Sequence, residues 1–343
     1  MRFQAVSFVA VPANRVPGDA RKRHKTRDDA IWIAISGRTA DGESVYVYVT
    51  GVEAYLYVEI GDALGDFDDC DTYKDFTKWL REAARTSVER VEVVTDRLSL
   101  FGAEPVRVAR VVTATSKSTR YIADLWHQGR ATFEDKLLGT RVWESDVSIP
   151  TRFAVAKKAV PFCWMTLHGA APLATHDRCD RVYAAHTNEI TAQSCTDAAG
   201  LANAPLRLVA WDIECLADDR FPNATLGDRV ILIGIVLYRD ATGTDDNENV
   251  VERIAFIDGS GVPTPATADR YQTVIMYDDE RGILLAFRDY LNHRQPDLIT
   301  GYNTDKFDWP FVLERARQLN IFDAFCDIGR APGVALRCET SSF

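Results

Sequence analysis

The segment Leu208-Val209-Ala210-Trp211-Asp212-Ile213-Glu214-Cys215 constrains this chain more than any other, because it predicts an apolar strand that ends in two acids. Asp212 and Glu214 are two residues apart, and side chains at this spacing point to the same face of a sheet. Like charges held on one face repel each other. A divalent cation such as Mg²⁺ or Mn²⁺, which takes oxygen ligands, would neutralise the pair. A strand end of this kind can equally be a solvated rim, so the pair alone leaves both interpretations open.

A second acid-bearing segment, 297–310, predicts a strand at Leu298–Thr300, a Gly-Tyr-Asn loop and then a helix. Asp308 lies at the predicted start of the helix, shortly before a proline, which is tolerated in the first helical turn. This position would hold its carboxylate at a defined place. The structural alternative is that Asp308 caps the helix, Phe307 fills the core and Asn303 supports a turn.

The pattern of predicted elements changes near residue 204. The predicted strands are 1–11, 31–36, 44–50, 91–94, 106–113, 152–156, 181–185, 206–213, 230–238, 251–257 and 298–300, and the predicted helices are 73–86, 279–291 and one after Trp309. Asp41-Gly42 is typical of a hairpin turn. We therefore predict an α+β N-terminal domain over 1–204, with a linker at about 168–204. Long strands followed by helices predict an α/β domain with a mixed sheet over 205–343.

Composition limits the class of protein. The formal net charge of −10 is unfavourable for contact with phosphates, unless carboxylates hold cations that attract them. The seven cysteines form no Cys-x-x-Cys pair, which disfavours zinc and disulfides and favours a reducing, intracellular compartment. No apolar run approaches the roughly 20 residues of a membrane helix. One basic run, 21–27, is interpreted as a solvated loop, with a nuclear-import signal or a phosphate contact as alternatives.

Taken together, the two acid-bearing segments resemble known motifs. Asp212-Ile213-Glu214 on a strand, followed by Asn303-x-x-x-Phe307-Asp308 at a strand-to-helix junction, resembles the first two exonuclease motifs of family B DNA polymerases. Phe221-Pro222-Asn223, the segment 228–234 and the lead into Asn303 at 298–302 are similar to the family as well.

The N-terminal half resembles the eukaryotic delta type of this family and its relatives in large DNA viruses. The similar segments are 49–58, 98–102, and 142–147 leading to 152–153. These are loose motifs, and their order along the chain supports the resemblance more than any one of them.

The resemblance implies an RNase H-like α/β domain with 3′–5′ proofreading exonuclease activity in DNA replication. Asp212, Glu214 and Asp308 would be ligands to two Mg²⁺ (or Mn²⁺) ions. Asn303 and Phe307 would help to position the terminal nucleotide or the loop that carries Asp308. Asp305 would face solvent. The implied partners are the single-stranded 3′ end of primer-template DNA, the remaining polymerase portion and a sliding clamp, in the nucleus or a viral replication compartment and without a membrane.

The family's third exonuclease motif, Tyr-x-x-x-Asp, does not follow Asp308, and no tyrosine follows Tyr302. The polymerase signatures Ser-Leu-Tyr-Pro-Ser and Asp-Thr-Asp-Ser are also missing. We therefore expect a fragment of a DNA-directed DNA polymerase that is inactive in isolation. The alternatives are a free-standing DnaQ-like exonuclease and a non-catalytic nucleic-acid-binding module.

Overall fold

The computed structural model describes residues 1–26, 30–60, 70–96, 106–170, 172–174, 178–193, 202–218, 220–243, 246–261 and 265–331. In these ranges the strands are β1 (Arg2–Val11), β2 (Trp32–Arg38), β3 (Ser44–Thr50), β4 (Ala54–Glu59), β5 (Val88–Asp96), β6 (Val106–Thr113), β7 (Thr132–Phe133), β8 (Lys136–Leu137), β9 (Val142–Trp143), β10 (Trp164–Leu167), β11 (Arg181–His186), β12 (Ile190–Ala192), β13 (Leu208–Leu216), β14 (Arg229–Tyr238), β15 (Val250–Asp258), β16 (Thr273–Tyr277) and β17 (Leu298–Thr300). The α-helices are α1 (Gly18–Arg23), α2 (Cys70–Ala84), α3 (Ser116–His127), α4 (Ile149–Lys157), α5 (Asp246–Asn249), α6 (Glu280–Arg294), α7 (Asp308–Gln318) and α8 (Phe322–Phe325).

Two larger sheets form the N-terminal part of the molecule. One has the order β11-β3-β2-β1-β10-β12, and all its neighbours are antiparallel except β11 and β3. The predicted hairpin between β2 and β3 is confirmed, and Gly42 adopts the positive φ of 84° that its turn requires. The other sheet has the order β5-β6-β4-β9 and packs against α2 and α3.

The third sheet carries both acid-bearing segments. Its order is β16-β15-β14-β13-β17, with antiparallel pairs in the middle and parallel pairs at both edges, so the predicted mixed sheet is confirmed. Helices α6 and α7 cover one face, where Val209, Trp211 and Ile213 of β13 are buried. Because side chains alternate along a strand, Asp212 and Glu214 point to the opposite face.

The predicted strand at 152–156 is wrong, because these residues lie in helix α4. Ser148 caps the helix by accepting a hydrogen bond from the backbone N–H of Thr151, and Pro150 lies in the first turn. These start signals outweigh the strand preference of the short apolar run. The basic run at 21–27 is not simply a loop either, since 18–23 forms α1.

Other predictions had different outcomes. Helix α3 and strand β16 were not predicted from the sequence. The N-terminal motif at 98–102 lies outside the described residues. No helix in the described part of the chain is long and apolar enough to cross a membrane.

A buried ionic network joins the first sheet to the third. The carboxylate of Asp297 accepts hydrogen bonds from Arg38 Nε at 2.5 Å, from the backbone N–H of Arg207 at 2.8 Å and from the guanidinium of Arg330. Arg38 is fully buried at the end of β2, and Arg330 also donates to the carbonyl of Gly37. Because each charge is removed from water, the network is stable only while all of its members are present.

Substituting Asp297→Ala should therefore destabilise the protein by about 3–5 kcal/mol, since it leaves two buried guanidinium groups without their shared carboxylate. Urea denaturation measures the free energy of unfolding. The control is Glu314→Ala, which removes an acid from an exposed ion pair with Arg317 and should cost about 0.5 kcal/mol or less. Equal effects of the two substitutions would show that the buried network does not hold the sheets together.

Candidate active site

The site forms where strand β13 loses its neighbour β17. Strand β17 pairs with β13 only from Leu208 to Ala210, so the backbone beyond Ala210 has a free edge on this side. The chain leaving β17 passes very close to that edge at Gly301. A Cβ atom on Gly301 would lie 2.3 Å from the carbonyl oxygen of Trp211, so only glycine permits this approach.

The loop after Gly301 turns sharply into α7. Asn303 adopts a left-handed conformation with φ of 58°, and its carbonyl accepts hydrogen bonds from the backbone N–H groups of Lys306 and Phe307. Asparagine tolerates this conformation better than most residues. Asn303 thus supports the turn, as the structural alternative held, and its side chain is exposed, so its contact with substrate stays a prediction. Asp305 is exposed, as expected.

Asp308 is the first residue of α7 and is 1% exposed. It does not cap the helix, since Phe307 occupies the cap position. Its carboxylate instead accepts a hydrogen bond from the backbone N–H of Ile213 at 3.2 Å, on the free edge of β13. The second acid-bearing segment is thereby attached to the first.

The same attachment places the carboxyl groups of Asp308 and Asp212 within hydrogen-bonding reach of each other. Burial, followed by the negative charge of Asp212, raises the pKa of Asp308 to about 6. Burial also raises the pKa of Asp212. Without a cation the two groups therefore compete for a proton, because both cannot ionise freely at this separation.

Glu214 lies two residues beyond Asp212 on β13. Glu214 is half-buried while Asp212 is exposed, and a register shift in the pairing of β13 with β14 follows Glu214 directly. In the described ranges, no group of three or more acidic, histidine or cysteine side chains has the geometry to hold a metal ion. The structure thus brings Asp212 and Asp308 together and leaves Glu214 beside them on the same strand.

An aromatic pair lies at the start of α7, where Phe307 directly precedes Asp308 in the chain. The rings of Phe307 and Phe221 are 5.1 Å apart, and Phe221 is 76% exposed. Together with Lys306 and Pro310 they line an open groove of about 450 Å³. The sequence analysis did not assign Phe221 to the site and used it only as a segment similar to the family. Its contact with Phe307 joins distant parts of the chain, so no local pattern predicts it.

Tyr271 was also missed. It follows a short 3₁₀ helix, Ala266–Arg270, and lies over Gly234 of β14, which is the cross-strand neighbour of Asp212. Burial, followed by the negative charges of Asp212 and Glu214, raises the pKa of the Tyr271 hydroxyl. No local motif marks this tyrosine in the sequence.

Residues 140–342 match the family model for the exonuclease domain of DNA polymerase family B. The chain belongs to this family. It is 30% identical over 316 residues to the DNA polymerase catalytic subunit of Tupaiid herpesvirus 1, a match that covers 87% of this chain and 24% of that protein. It is 25% identical over 358 residues to the DNA polymerase delta catalytic subunit of Oryza sativa subsp. japonica, covering 98% of this chain and 31% of the relative.

The family B fold extends over most of the chain. The structure of the family B DNA polymerase from the hyperthermophilic archaeon Pyrobaculum calidifontis matches it with a TM-score of 0.62 at 21% identity, covering 94% of this chain and 33% of that one. The chain thus spans only 24–33% of the length of these relatives. The resemblance to viral and delta-type members of family B is confirmed, whereas the predicted boundary at 204–205 stays a prediction.

The pKa of Asp308 has a measurable consequence in metal-free protein. Its ordinary value of 3.8 applies to the unfolded chain, so the folded state binds an extra proton between that pH and about 6. Protonated Asp308 stabilises the folded state at low pH, and this stabilisation is lost as pH rises through this window. Asp308→Asn keeps an acceptor for the Ile213 N–H and carries no charge at any pH. From pH 4 to pH 7 its free energy of unfolding should therefore rise by about 1–3 kcal/mol relative to that of the wild type.

Urea denaturation across this pH range in the presence of a chelator measures that difference. The matched control is Asp305→Asn, which removes an exposed acid from the same loop and should follow the wild-type curve. A wild-type protein that is as stable as Asp308→Asn at pH 7 would contradict the proposed repulsion between Asp308 and Asp212.

Proposed function

We propose that this chain is the N-terminal and proofreading region of a family B DNA polymerase, and that its site hydrolyses the last phosphodiester of a single-stranded 3′ end during DNA replication. The observation that carries the proposal is the assembly of Asp212 and Asp308 at the free edge of β13. Two acids from distant motifs are held together there against their mutual repulsion, which an oxygen-binding cation would relieve.

The donor set fits Mg²⁺ or Mn²⁺. Asp212, Glu214 and Asp308 would hold two such ions, since hard divalent cations take carboxylate oxygens. Two ions held there would supply activation of a water nucleophile and stabilisation of the leaving 3′ oxygen. The protein's own contribution is to fix the two aspartates, because Asp308 is held by Ile213 and by the start of α7.

The aromatic pair supports a nucleotide as the substrate. A base would stack on Phe307 and the exposed ring of Phe221 in the groove that they line, and Phe307 directly precedes Asp308 in the chain. Stacking is tolerant of base identity, which suits an enzyme that removes any mispaired terminal nucleotide. Asn303 would support this arrangement through the turn rather than by stacking, and Lys306 supplies a nearby positive charge.

We further propose an RNase H-like arrangement for the third sheet. Its strands β13, β14 and β15 follow each other as antiparallel neighbours, and β17 then joins β13 in parallel. The division into 1–204 and 205–343 is part of the same proposal. The remaining polymerase portion, a sliding clamp, a nuclear or viral replication compartment and the inactivity of the isolated chain stay predictions.

The two rival functions differ from this proposal in testable ways. A free-standing DnaQ-like exonuclease would not share the N-terminal region, whereas the match to the herpesvirus polymerase covers 87% of this chain. A non-catalytic binding module would hold DNA without a need for the paired carboxylates.

Binding of Mn²⁺, measured by electron paramagnetic resonance, tests the site directly on this chain. The double variant Asp212→Ala/Glu214→Ala should lose affinity for Mn²⁺, and any release of nucleoside monophosphates from labelled single-stranded DNA should fall by at least about 100-fold. The control Asp305→Ala removes one nearby acid and should change neither result. Release of nucleoside monophosphates that survives the double substitution would refute the site. DNA binding that needs no divalent cation and is unchanged in the double variant would favour the binding module.

A further inference from the structure

Tyr271 lies over the same face of the third sheet as the acidic residues. An added Cβ on Gly234 would lie 1.8 Å from the Tyr271 hydroxyl oxygen, so the hydroxyl occupies the space that a side chain at position 234 would fill. Gly234 and Asp212 are directly paired in antiparallel strands, and such pairs project to one face. The tyrosine hydroxyl is therefore a direct neighbour of the Asp212 side chain across the strands.

The ring of Tyr271 is held firmly while its hydroxyl is left available. The ring packs against the small cluster of Leu232, Ala255, Ile257 and Ala268. Among the described residues, none exchanges a hydrogen bond with the hydroxyl. A phenylalanine would make the same apolar contacts, so packing alone does not account for the oxygen atom.

The chemistry of a phenol suits this position. A lysine or arginine here would form an ion pair with Asp212 and compete with a divalent cation for its oxygens. An ordinary tyrosine is protonated at neutral pH, so it can donate a hydrogen bond without bringing a competing charge. A donor is needed because a phosphate that approaches two aspartates meets like charge, which hydrogen bonds to its oxygens offset.

We propose that the Tyr271 hydroxyl donates a hydrogen bond to a non-bridging oxygen of the terminal phosphate bound at Asp212 and Asp308. The proposal rests on the function proposed above and adds a substrate-contacting residue to that site. Tyr271 then contacts the phosphate from the β14 side, and the aromatic pair of Phe221 and Phe307 takes the base.

The test is equilibrium binding of thymidine 5′-monophosphate to this chain by calorimetry in the presence of Mn²⁺. Tyr271→Phe removes only the oxygen and should weaken binding by about ten-fold, because a hydrogen bond to a charged group is lost. Its affinity for Mn²⁺ and its weaker affinity for thymidine, which lacks the phosphate, should not change. The matched control is Tyr277→Phe, since Tyr277 contacts Phe256 in the core on the opposite face and should leave all three affinities unchanged.

A second variant moves the hydroxyl without removing it. Gly234→Ala places a methyl group where the hydroxyl lies, so it should weaken monophosphate binding to a similar extent. Combining it with Tyr271→Phe should add little, because both substitutions remove one interaction.

The outcomes separate this inference from the proposed function. Wild-type affinity for the monophosphate in Tyr271→Phe would overturn the role of Tyr271 while leaving the acid site intact. If Tyr271→Phe instead loses affinity for Mn²⁺, thymidine and the monophosphate alike, the role of Tyr271 is also overturned, since that pattern indicates a structural role. A wild-type chain that binds the monophosphate as well without Mn²⁺ as with it, or an Asp212→Asn variant that binds as wild type does, would overturn the proposed function itself.

Discussion

The free edge of strand β13 is the constraint on which the site depends. A backbone N–H buried without a partner is costly, and β17 is too short to satisfy the one at Ile213. The carboxylate of Asp308 accepts this hydrogen bond, which fixes the start of α7 against the strand. The acids of two distant segments are assembled because the sheet needs an acceptor at this point, and their repulsion is the consequence. The cation proposed for this site would relieve that conflict.

Buried charges elsewhere hold the supporting elements in place. Glu280, at the start of α6, accepts hydrogen bonds from the backbone N–H of Val230 and from the guanidinium of Arg315 in α7. One side chain thus joins β14, α6 and α7, the elements that surround β13. The Asp297 carboxylate likewise joins the third sheet to the first sheet, through its hydrogen bonds from the Arg207 backbone and the Arg38 side chain. Such ion pairs add little net stability over apolar packing, but they strongly disfavour arrangements in which a charge is left unpaired.

The two faces of β13 have different tasks, and alternation along the strand separates them. Trp211 stacks on Phe287 of α6 with ring centroids 4.6 Å apart, which anchors the strand in the core. Asp212 points to the other face, toward Tyr271 and away from the helices. The small residue Gly234 on the neighbouring strand leaves room for the tyrosine there. Rigid packing on one face therefore supports a polar, partly open site on the other.

The sequence by itself determined the features that depend on near neighbours. The placement of Asp212 and Glu214 on one face, the hairpin at Gly42 and the start of α6 after Asp279 all follow from local spacing or capping, and the family followed from ordered motifs. Only the tertiary structure decided that Asp308 bonds to Ile213, that Phe221 meets Phe307 and that Tyr271 lies over Gly234. These contacts join residues far apart in the chain, and sheet order and helix packing determine which residues meet.

Local propensity also gave a wrong prediction at 152–156, where capping by Ser148 outweighs a short apolar run. Periodicity reports which way a side chain points, whereas long-range packing determines what it meets.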